Sequence, residues 1–173
     1  MKAALYRARQ FFAAVRTRPP EEAELDLARR YLTPGGFELF QLMRVSDQRH
    51  SLTILRGLVA QGWTDLPLLQ AALLHDLAKA RVGLWARTLV ILLNAFAKPW
   101  LPRLASPDPR SWRYPFYLSL HHPELGAGAA ESAGLDSRAV TLIRRHQLPL
   151  PDEPDGDVLA RWQRALKALD DQN

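Results

Sequence analysis

The sequence predicts an all-α protein, and three observations support that prediction. Apolar residues recur at three- and four-residue spacing in nearly every segment, which is the period of an amphipathic helix. No run of residues alternates between apolar and polar in the way that a half-buried strand requires. The chain has 173 residues, 47% of them hydrophobic and 24% charged, which suits one domain with its own core. We therefore expect a single helical bundle.

The first 45 residues predict three helices. Apolar residues within Leu5–Val15 share one helical face, and a pair of prolines then breaks the chain. Glu21–Tyr31 predicts a short helix with acids in its first turn. Thr33-Pro34 predicts an N-cap followed by a proline at the first position of another helix. We expect residues 1–45 to form an N-terminal helical extension that packs on a domain formed by residues 46–173.

The next two predicted helices carry the first candidate functional residues. Ser46 is a candidate N-cap of a helix that passes through His50 and stops at Gly62. Asp65 is a candidate cap of the following helix, which has His75-Asp76 in its later half. Helices joined by a short loop run antiparallel, so this topology can bring His50 close to the His-Asp pair.

Leu84–Phe96 is the most apolar stretch of the chain. It is shorter than the roughly 20 residues that a membrane-spanning helix needs, and Arg87 interrupts it. Three placements stay open for this helix: the protein's own core, a homodimer interface or a membrane surface. The prolines between Lys98 and Pro109 predict an irregular connection that could form a lid or a substrate wall.

The C-terminal part of the chain predicts four more helices. The first covers Trp112–Leu120, and a second begins at Pro123 and continues to Ala133, where a glycine follows. Asp136 is a candidate cap for a third over Ser137–His146. After a proline-rich loop, the last helix covers Val158–Asp170 with an apolar face.

The composition excludes several kinds of chemistry. The chain has no cysteine, so disulfides, thiolate zinc sites and cysteine nucleophiles are excluded. Its net charge of +5 and pI near 10.0 suit an anionic partner. We find no strong nucleic-acid signal, because no helix-turn-helix or aromatic-interleaved basic motif is present. The N-terminus lacks the continuous apolar core of a secretory signal, and we expect a cytoplasmic protein.

An imidazole and a carboxylate stand side by side in the apolar run Leu68–Lys79, as His75 and Asp76. Buried ionisable groups are costly unless they are paired or bind a metal. With no cysteine in the chain, a metal here must be held by nitrogen and oxygen atoms. The candidate nitrogen ligands are the five histidines: His50, His75, His121, His122 and His146.

A known family carries a similar set of motifs. Leu73–Lys79, which reads LLHDLAK, resembles the His-Asp signature of the HD superfamily of metal-dependent phosphohydrolases. Arg49–Leu52 resembles its upstream first-histidine motif, one predicted helix earlier. His122–Ala127 is similar to its His-Pro-x-x-Gly-Ala element, and Ile143–His146 to its next histidine motif. Ala168–Asp171 lies where the closing aspartate of the family occurs.

The resemblance spans residues 46–173 and implies an HD-type helical bundle that holds one or two divalent cations. The implied ligands are His50, His75, Asp76, His122, His146 and Asp170. Asp76 would bridge two ions, with iron or manganese favoured and zinc, cobalt or magnesium as alternatives. Two ions about 3.5–4 Å apart can hold a hydroxide between them and stabilise charge on a phosphoryl group. Asp171 competes with Asp170 as the last ligand, and the family pattern favours Asp170.

The remaining candidates concern the substrate. We expect Asp76 and Lys79 to act in catalysis, and Lys79 to hold a substrate phosphate on the helix face that it shares with His75. A solvated lysine at a helix end is the alternative for Lys79. His121, Arg49 and Arg145 are further candidates for binding the substrate.

These motifs predict a phosphohydrolase that uses a metal-bound hydroxide to cleave a phosphoester or phosphoanhydride of a small nucleotide-like substrate. Their order is closest to that of small bacterial HD hydrolases of dinucleoside polyphosphates. The Gly-Tyr-Pro element of the cyclic-di-GMP phosphodiesterases is absent after His146. The alternative is a non-catalytic HD module that binds a nucleotide, a protein or a membrane surface through residues 84–96.

Overall fold

The computed structural model describes residues 18–81, 86, 89, 90, 93, 100–150 and 157–172. All regular secondary structure in these residues is helical, which confirms the all-α prediction. A 3-10 helix covers Leu77–Arg81. The α-helices whose bounds lie within the described residues are α1 Glu22–Tyr31, α2 Pro34–Gln41, α3 Val45–Ala60, α4 Leu66–Leu74, α5 Leu101–Leu104, α6 Tyr114–Ser132, α7 Ser137–Arg145 and α8 Val158–Asp170.

Helix α4 lies at the centre of the fold. Every residue from Pro67 to Leu74 is buried, and α4 packs against α1, α2, α3, α7 and α8. A helix that is apolar on all sides is expected in such a position. Core residues of α1 and α2, among them Ala28 and Phe40, belong to the same hydrophobic core as those of α4. The division into an extension over residues 1–45 and a domain over 46–173 stays a prediction.

Most of the predicted helix boundaries agree with the structure. Thr33 Oγ1 accepts a hydrogen bond from Gly36 N at 3.0 Å, which confirms it as the N-cap of α2. Asp136 caps α7 in the same way, through the backbone N–H of Arg138 at 2.8 Å. The stop after α3 is also confirmed, because Gly62 has a φ of 85°, a left-handed conformation that glycine adopts without strain.

Two predicted features near α3 and α4 are wrong. Helix α3 begins at Val45 with Arg44 as its N-cap, so Ser46 lies inside the first turn and does not cap it. Helix α4 ends at Leu74, and His75 occupies the C-cap position. His75 and Asp76 therefore follow the helix instead of lying in its later half. The 3-10 helix begins directly after them, at Leu77.

The region around Pro123 also differs from its prediction. Instead of two helices that meet there, α6 continues from Tyr114 to Ser132 with Pro123 inside it. A proline within a helix leaves the carbonyl four residues earlier without its backbone donor. Here that carbonyl belongs to Ser119, and the His122 ring donates a hydrogen bond to it at 2.8 Å, so the helix persists.

Three predictions fall wholly or mostly outside the described residues. These are the helix within Leu5–Val15, most of Leu84–Phe96 and the loop over residues 151–156. Of the apolar stretch, Ala86 is fully buried and Val90 is 7% exposed. No helix in the part of the chain that the structure describes is both long and apolar enough to cross a membrane.

Candidate metal centre

Parts of five helices, α4 among them, converge on one point. His50 comes from α3, His122 from α6, and Asp170 is the last residue of α8. His75 and His146 occupy equivalent places, each directly after the last residue of its helix. The structure thus brings together all six residues that the HD resemblance implies as ligands, and their role as ligands stays a prediction.

The first part of the cluster joins α3, α4 and α8. His50 Nε2 lies 3.0 Å from Asp170 Oδ1, and His75 Nε2 lies 3.6 Å from the same oxygen. Helix α8 approaches α3 at Gly57, where a Cβ would lie 2.9 Å from Leu169 Cδ1 and would require the leucine side chain to move. Asp171, the competing candidate, is exposed and pairs with Lys167. The geometry therefore places Asp170, and not Asp171, beside the histidines.

The second part of the cluster is arranged around Asp76. Its Oδ1 atom lies 3.7 Å from His75 Nε2, 3.7 Å from His122 Nε2 and 3.6 Å from His146 Nε2. These distances exceed those of N–H···O hydrogen bonds. Two ligands that bind one ion at about 2.1 Å lie roughly 3–3.5 Å apart, so the observed spacings are close to those of ligands that share an ion.

Backbone carbonyls set the orientation of three of the rings. His75, His122 and His146 each direct Nδ1 at the carbonyl three residues earlier, at 3.1, 2.8 and 2.7 Å. A carbonyl can only accept, so in the neutral form of each ring Nδ1 carries the proton and Nε2 has its lone pair free. This is the tautomer in which Nε2 binds a metal, with the other nitrogen donating to a carbonyl.

The sequence explains why these three carbonyls are available. The last carbonyls of a helix have no backbone donor, and those of Ala72 and Ile143 lie in the last turns of α4 and α7. The third carbonyl, from Ser119, is the one that Pro123 leaves unpaired. A histidine placed just after a helix end, or just before a helical proline, is therefore oriented by its own chain.

Several buried atoms of the cluster have no hydrogen-bond partner among the described residues. They are the Nε2 atoms of His75, His122 and His146, and Asp76 Oδ1. Outside the cluster, only Ser51 Oγ and Gln70 Oε1 share that property in the described part of the chain. Leaving a buried polar atom unpaired costs free energy. Four such atoms that face one another therefore indicate a site for a cation.

Burial and charge shift the pKa values of the cluster in different directions. Burial, together with the nearby Lys79 ammonium, lowers the pKa of His122 to about 3, which keeps the ring neutral. Burial also lowers the pKa of His75, but the carboxylates of Asp76 and Asp170 outweigh it and the net shift is upward. Although burial alone would raise the pKa of Asp76, His75 and Lys79 hold it well below the usual range. Asp76 is therefore an anion at neutral pH.

Lys79 pairs directly with the central carboxylate. Its Nζ atom donates to Asp76 Oδ2 at 2.9 Å and also lies 2.7 Å from Oδ1. The Lys79 side chain is 29% exposed, and those of His50 and Asp170 are 24% and 29% exposed. The centre is thus accessible to solvent on the side of these three residues.

The other predicted substrate-binding residues have different surroundings. Arg49 binds the Glu24 carboxylate at 3.0 Å and the carbonyls of Arg18 and Pro19, so its guanidinium links α3 to the start of α1. His121 is exposed, with its ring 4.3 Å from that of Tyr117. Arg145 is also exposed. Binding of substrate by these three residues stays a prediction.

One residue that supports the site was missed at the sequence level. Gln163 is 4% exposed, and its Nε2 atom donates to the carbonyl of Arg145 at 2.9 Å and to that of Leu148 at 3.2 Å. These carbonyls flank His146, so Gln163 holds the backbone on both sides of that residue. A buried glutamine on the apolar face of α8 was the available signal.

The donor set fits a divalent cation. Two groups of three residues bring one ligand atom each to within 4.8 Å of one another: His50 with His75 and Asp76, and Asp76 with His122 and His146. Neutral imidazoles combined with carboxylates suit divalent transition metals. Because Asp76 belongs to both groups, it could contact two ions at once.

Comparisons with known proteins give no match. No protein-family model, no curated protein and no solved structure matches this chain. The fold and the geometry of the centre are therefore the basis for any functional conclusion.

Proposed function

We propose that this protein is a metal-dependent phosphohydrolase with the ligand arrangement of the HD superfamily. The observation that carries the proposal is the group of four buried atoms without hydrogen-bond partners, three imidazole nitrogens facing one carboxylate oxygen. A purely structural core would satisfy such atoms within the chain. A bound cation satisfies all of them together.

The residues divide naturally between two ions. His50, His75 and Asp170 would hold one ion and His122 and His146 the other, with Asp76 shared between them. Iron or manganese suits this mixture of nitrogen and oxygen ligands, with zinc, cobalt and magnesium as alternatives. When bound, such ions would supply a nucleophile from water and positive charge next to the phosphoryl oxygens.

The chain's own residues prepare the centre for an anionic substrate. The i−3 carbonyls fix the tautomer and direction of three imidazoles, so little reorganisation is needed on binding. Lys79 stands on the accessible side and places an ammonium next to the ligands, where it can attract a phosphate oxygen. The net charge of +5 favours encounter with anions. A nucleotide-like phosphoester or phosphoanhydride is the substrate class that we propose.

A matched pair of histidines tests the proposal. The purified protein should contain one to two divalent ions by elemental analysis and hydrolyse a member of a nucleotide and dinucleotide panel. His122→Ala should lose metal and hydrolysis while keeping its helical circular dichroism. His121→Ala, the neighbouring position on the same helix, should keep its metal because that ring faces Tyr117.

Two results would contradict the proposal. Protein purified without chelators that binds neither Mn²⁺, Fe²⁺ nor Zn²⁺ would remove its basis. If the metal-loaded protein hydrolyses no phosphoester or phosphoanhydride in the panel, the protein is a metal-binding module and the proposed enzymatic activity is wrong.

A further inference from the structure

Two exposed tryptophans stand close together in the chain, before helix α6. Trp100 is 57% exposed and Trp112 is 64% exposed, whereas Trp162 in the core is 3% exposed. Two exposed arginines, Arg103 and Arg110, lie between them in sequence. We call these four residues the tryptophan surface. A single exposed apolar side chain needs no explanation, but exposed apolar groups that gather in one region mark candidate interaction sites.

The tryptophan surface stands on an ordered base. Leu101 and Phe116 are buried in one apolar cluster, and the Trp112 ring packs edge-on against Phe116 with their centroids 6.0 Å apart. Arg113 Nε donates to the carbonyl of Leu104 at 2.8 Å, and its Nη2 donates to that of Arg103. These bonds tie α5 to the start of α6. The segment that carries Trp100 is therefore fastened to the start of α6, where the Trp112 ring packs against Phe116.

The charge around the two rings is positive. Residues 100–113 include three arginines, at positions 103, 110 and 113, and one acid, Asp108. Asp108 Oδ1 accepts the backbone N–H of Arg110 at 2.9 Å, so this carboxylate is engaged within its own turn. The Arg103 guanidinium lies 5.5 Å from the centre of the Trp100 ring, which places a cation next to an exposed aromatic face.

We propose that the tryptophan surface binds the surface of an anionic lipid bilayer. Tryptophan is the side chain most typical of the membrane–water interface, where its apolar body and its N–H group meet matching surroundings. Arginines beside it attract anionic headgroups. The base of the surface is an apolar cluster and not a polar groove, which favours a bilayer over a nucleic acid. The inference does not depend on the proposed hydrolase activity.

Vesicle co-sedimentation with the full chain tests this proposal. The protein should bind vesicles of equal parts phosphatidylcholine and phosphatidylglycerol, bind vesicles of phosphatidylcholine alone weakly, and be released by salt. Arg103→Gln combined with Arg110→Gln should lower the affinity about thirtyfold, at about tenfold for each 1.4 kcal/mol and roughly 1 kcal/mol per arginine. Trp100→Ala combined with Trp112→Ala should weaken binding to the same vesicles at unchanged net charge.

A charge-matched control separates this surface from a general effect of net charge. Arg30 and Arg161 are exposed arginines on α1 and α8, and Arg30→Gln combined with Arg161→Gln removes the same charge. This control should retain most of the binding. An equal loss in the control, equal binding to both vesicle types, no binding to either, or a preference for DNA or RNA over the anionic vesicles would each overturn the proposal. Circular dichroism confirms that each variant is folded.

Discussion

Glu24 and Asp76 are buried carboxylates of nearly equal exposure, with side chains that are 11% and 10% accessible, but their partners differ. Glu24 Oε1 accepts hydrogen bonds from Arg49 at 3.0 Å and Arg56 at 2.9 Å, and Oε2 accepts one from Glu21 N at 2.8 Å. Asp76 has one ammonium partner, Lys79, and faces three imidazole nitrogens that donate nothing to it.

The difference distinguishes a structural cluster from a binding site. Around Glu24 both carboxylate oxygens accept hydrogen bonds from donors within the chain, so the carboxylate needs no further partner, and the cluster fastens α1 to α3. Around Asp76 the three Nε2 lone pairs and the carboxylate oxygen that they face are all acceptors, and Lys79 pairs only with the carboxylate. The three nitrogens can therefore be satisfied only by a cation or by added protons. Burial alone would not separate the two clusters, whereas the matching of donors and acceptors does.

The largest expected effect comes from Asp76→Asn. Because Asp76 is shared by both groups of ligands, this change should lower metal affinity about a hundredfold or more, exceeding the usual effect of losing an outer-shell partner. Excess Mn²⁺ should stabilise the unchanged protein by about 2.7 kcal/mol at a hundred times the Kd, and chelator should remove that stabilisation. Thermal unfolding with and without metal measures both quantities.

Glu24→Gln is the control for that experiment. It neutralises a carboxylate of similar burial and should leave the stabilisation by Mn²⁺ unchanged. Equal stabilisation of Asp76→Asn and the unchanged protein by Mn²⁺ would show that Asp76 is not a ligand.

The next effect concerns the stability of the Glu24→Gln variant itself. The bond from Glu21 N, together with Arg49 and Arg56, holds the pKa of Glu24 below its ordinary value despite burial. The stabilisation from Glu24 is therefore fully present above the unfolded pKa of about 4.3 and is lost as the pH falls through the folded pKa. Glu24→Gln should cost about 2 kcal/mol at pH 7, in the range for hydrogen bonds to charged groups.

Urea unfolding at several pH values measures this effect. The difference in unfolding free energy between the unchanged protein and the Glu24→Gln variant should stay constant from pH 7 down to about pH 5 and shrink below about pH 4. A difference that persists at acid pH would show that packing, and not the charge of Glu24, is responsible.

The third prediction has opposite signs for stability and for metal binding, and its change in metal affinity is smaller than that of Asp76→Asn. In Pro123→Ala, a new backbone N–H at position 123 would donate to the Ser119 carbonyl and compete with His122 Nδ1. Metal affinity should fall about tenfold, as for the loss of an outer-shell partner. The helix should gain up to about 3 kcal/mol, since proline is unfavourable within a helix. Metal titration and thermal unfolding of one sample measure both changes.

Unchanged metal affinity in Pro123→Ala would show that the proline does not orient His122. Ala127→Gly, a change elsewhere on α6, tests whether any change in the stability of this helix also alters metal binding.

Local patterns predicted much of this structure. The caps at Thr33 and Asp136 and the stop at Gly62 follow from hydrogen bonds and backbone conformations that involve only a few neighbouring residues. The order of the histidines and aspartates along the chain indicated the six residues that the fold brings together. The predicted cap at Ser46 and the predicted helix break at Pro123 were wrong. At Pro123 the helix continues because the His122 ring donates to the carbonyl of Ser119.

Other features depend on residues that are distant in the sequence. The partner of Arg49 is Glu24, 25 residues away, and no local pattern distinguishes this structural pairing from a role in substrate binding. Gln163 supports the backbone around His146 only because α8 returns to the end of α7. The approach of α8 to α3 at Gly57 likewise arises from packing.

The sequence by itself determined the helical class and most of the helix ends, because these depend on side-chain spacing and on interactions within one or two turns. Its resemblance to the HD superfamily implied the candidate ligands. Tertiary structure alone decided that the four buried acceptor atoms face one another, and it agrees with the family pattern in placing Asp170 and not Asp171 beside them. The physical reason is that convergence and desolvation arise only when separate helices pack around α4. That packing makes the His75-Asp76 pair part of a site that can hold a cation.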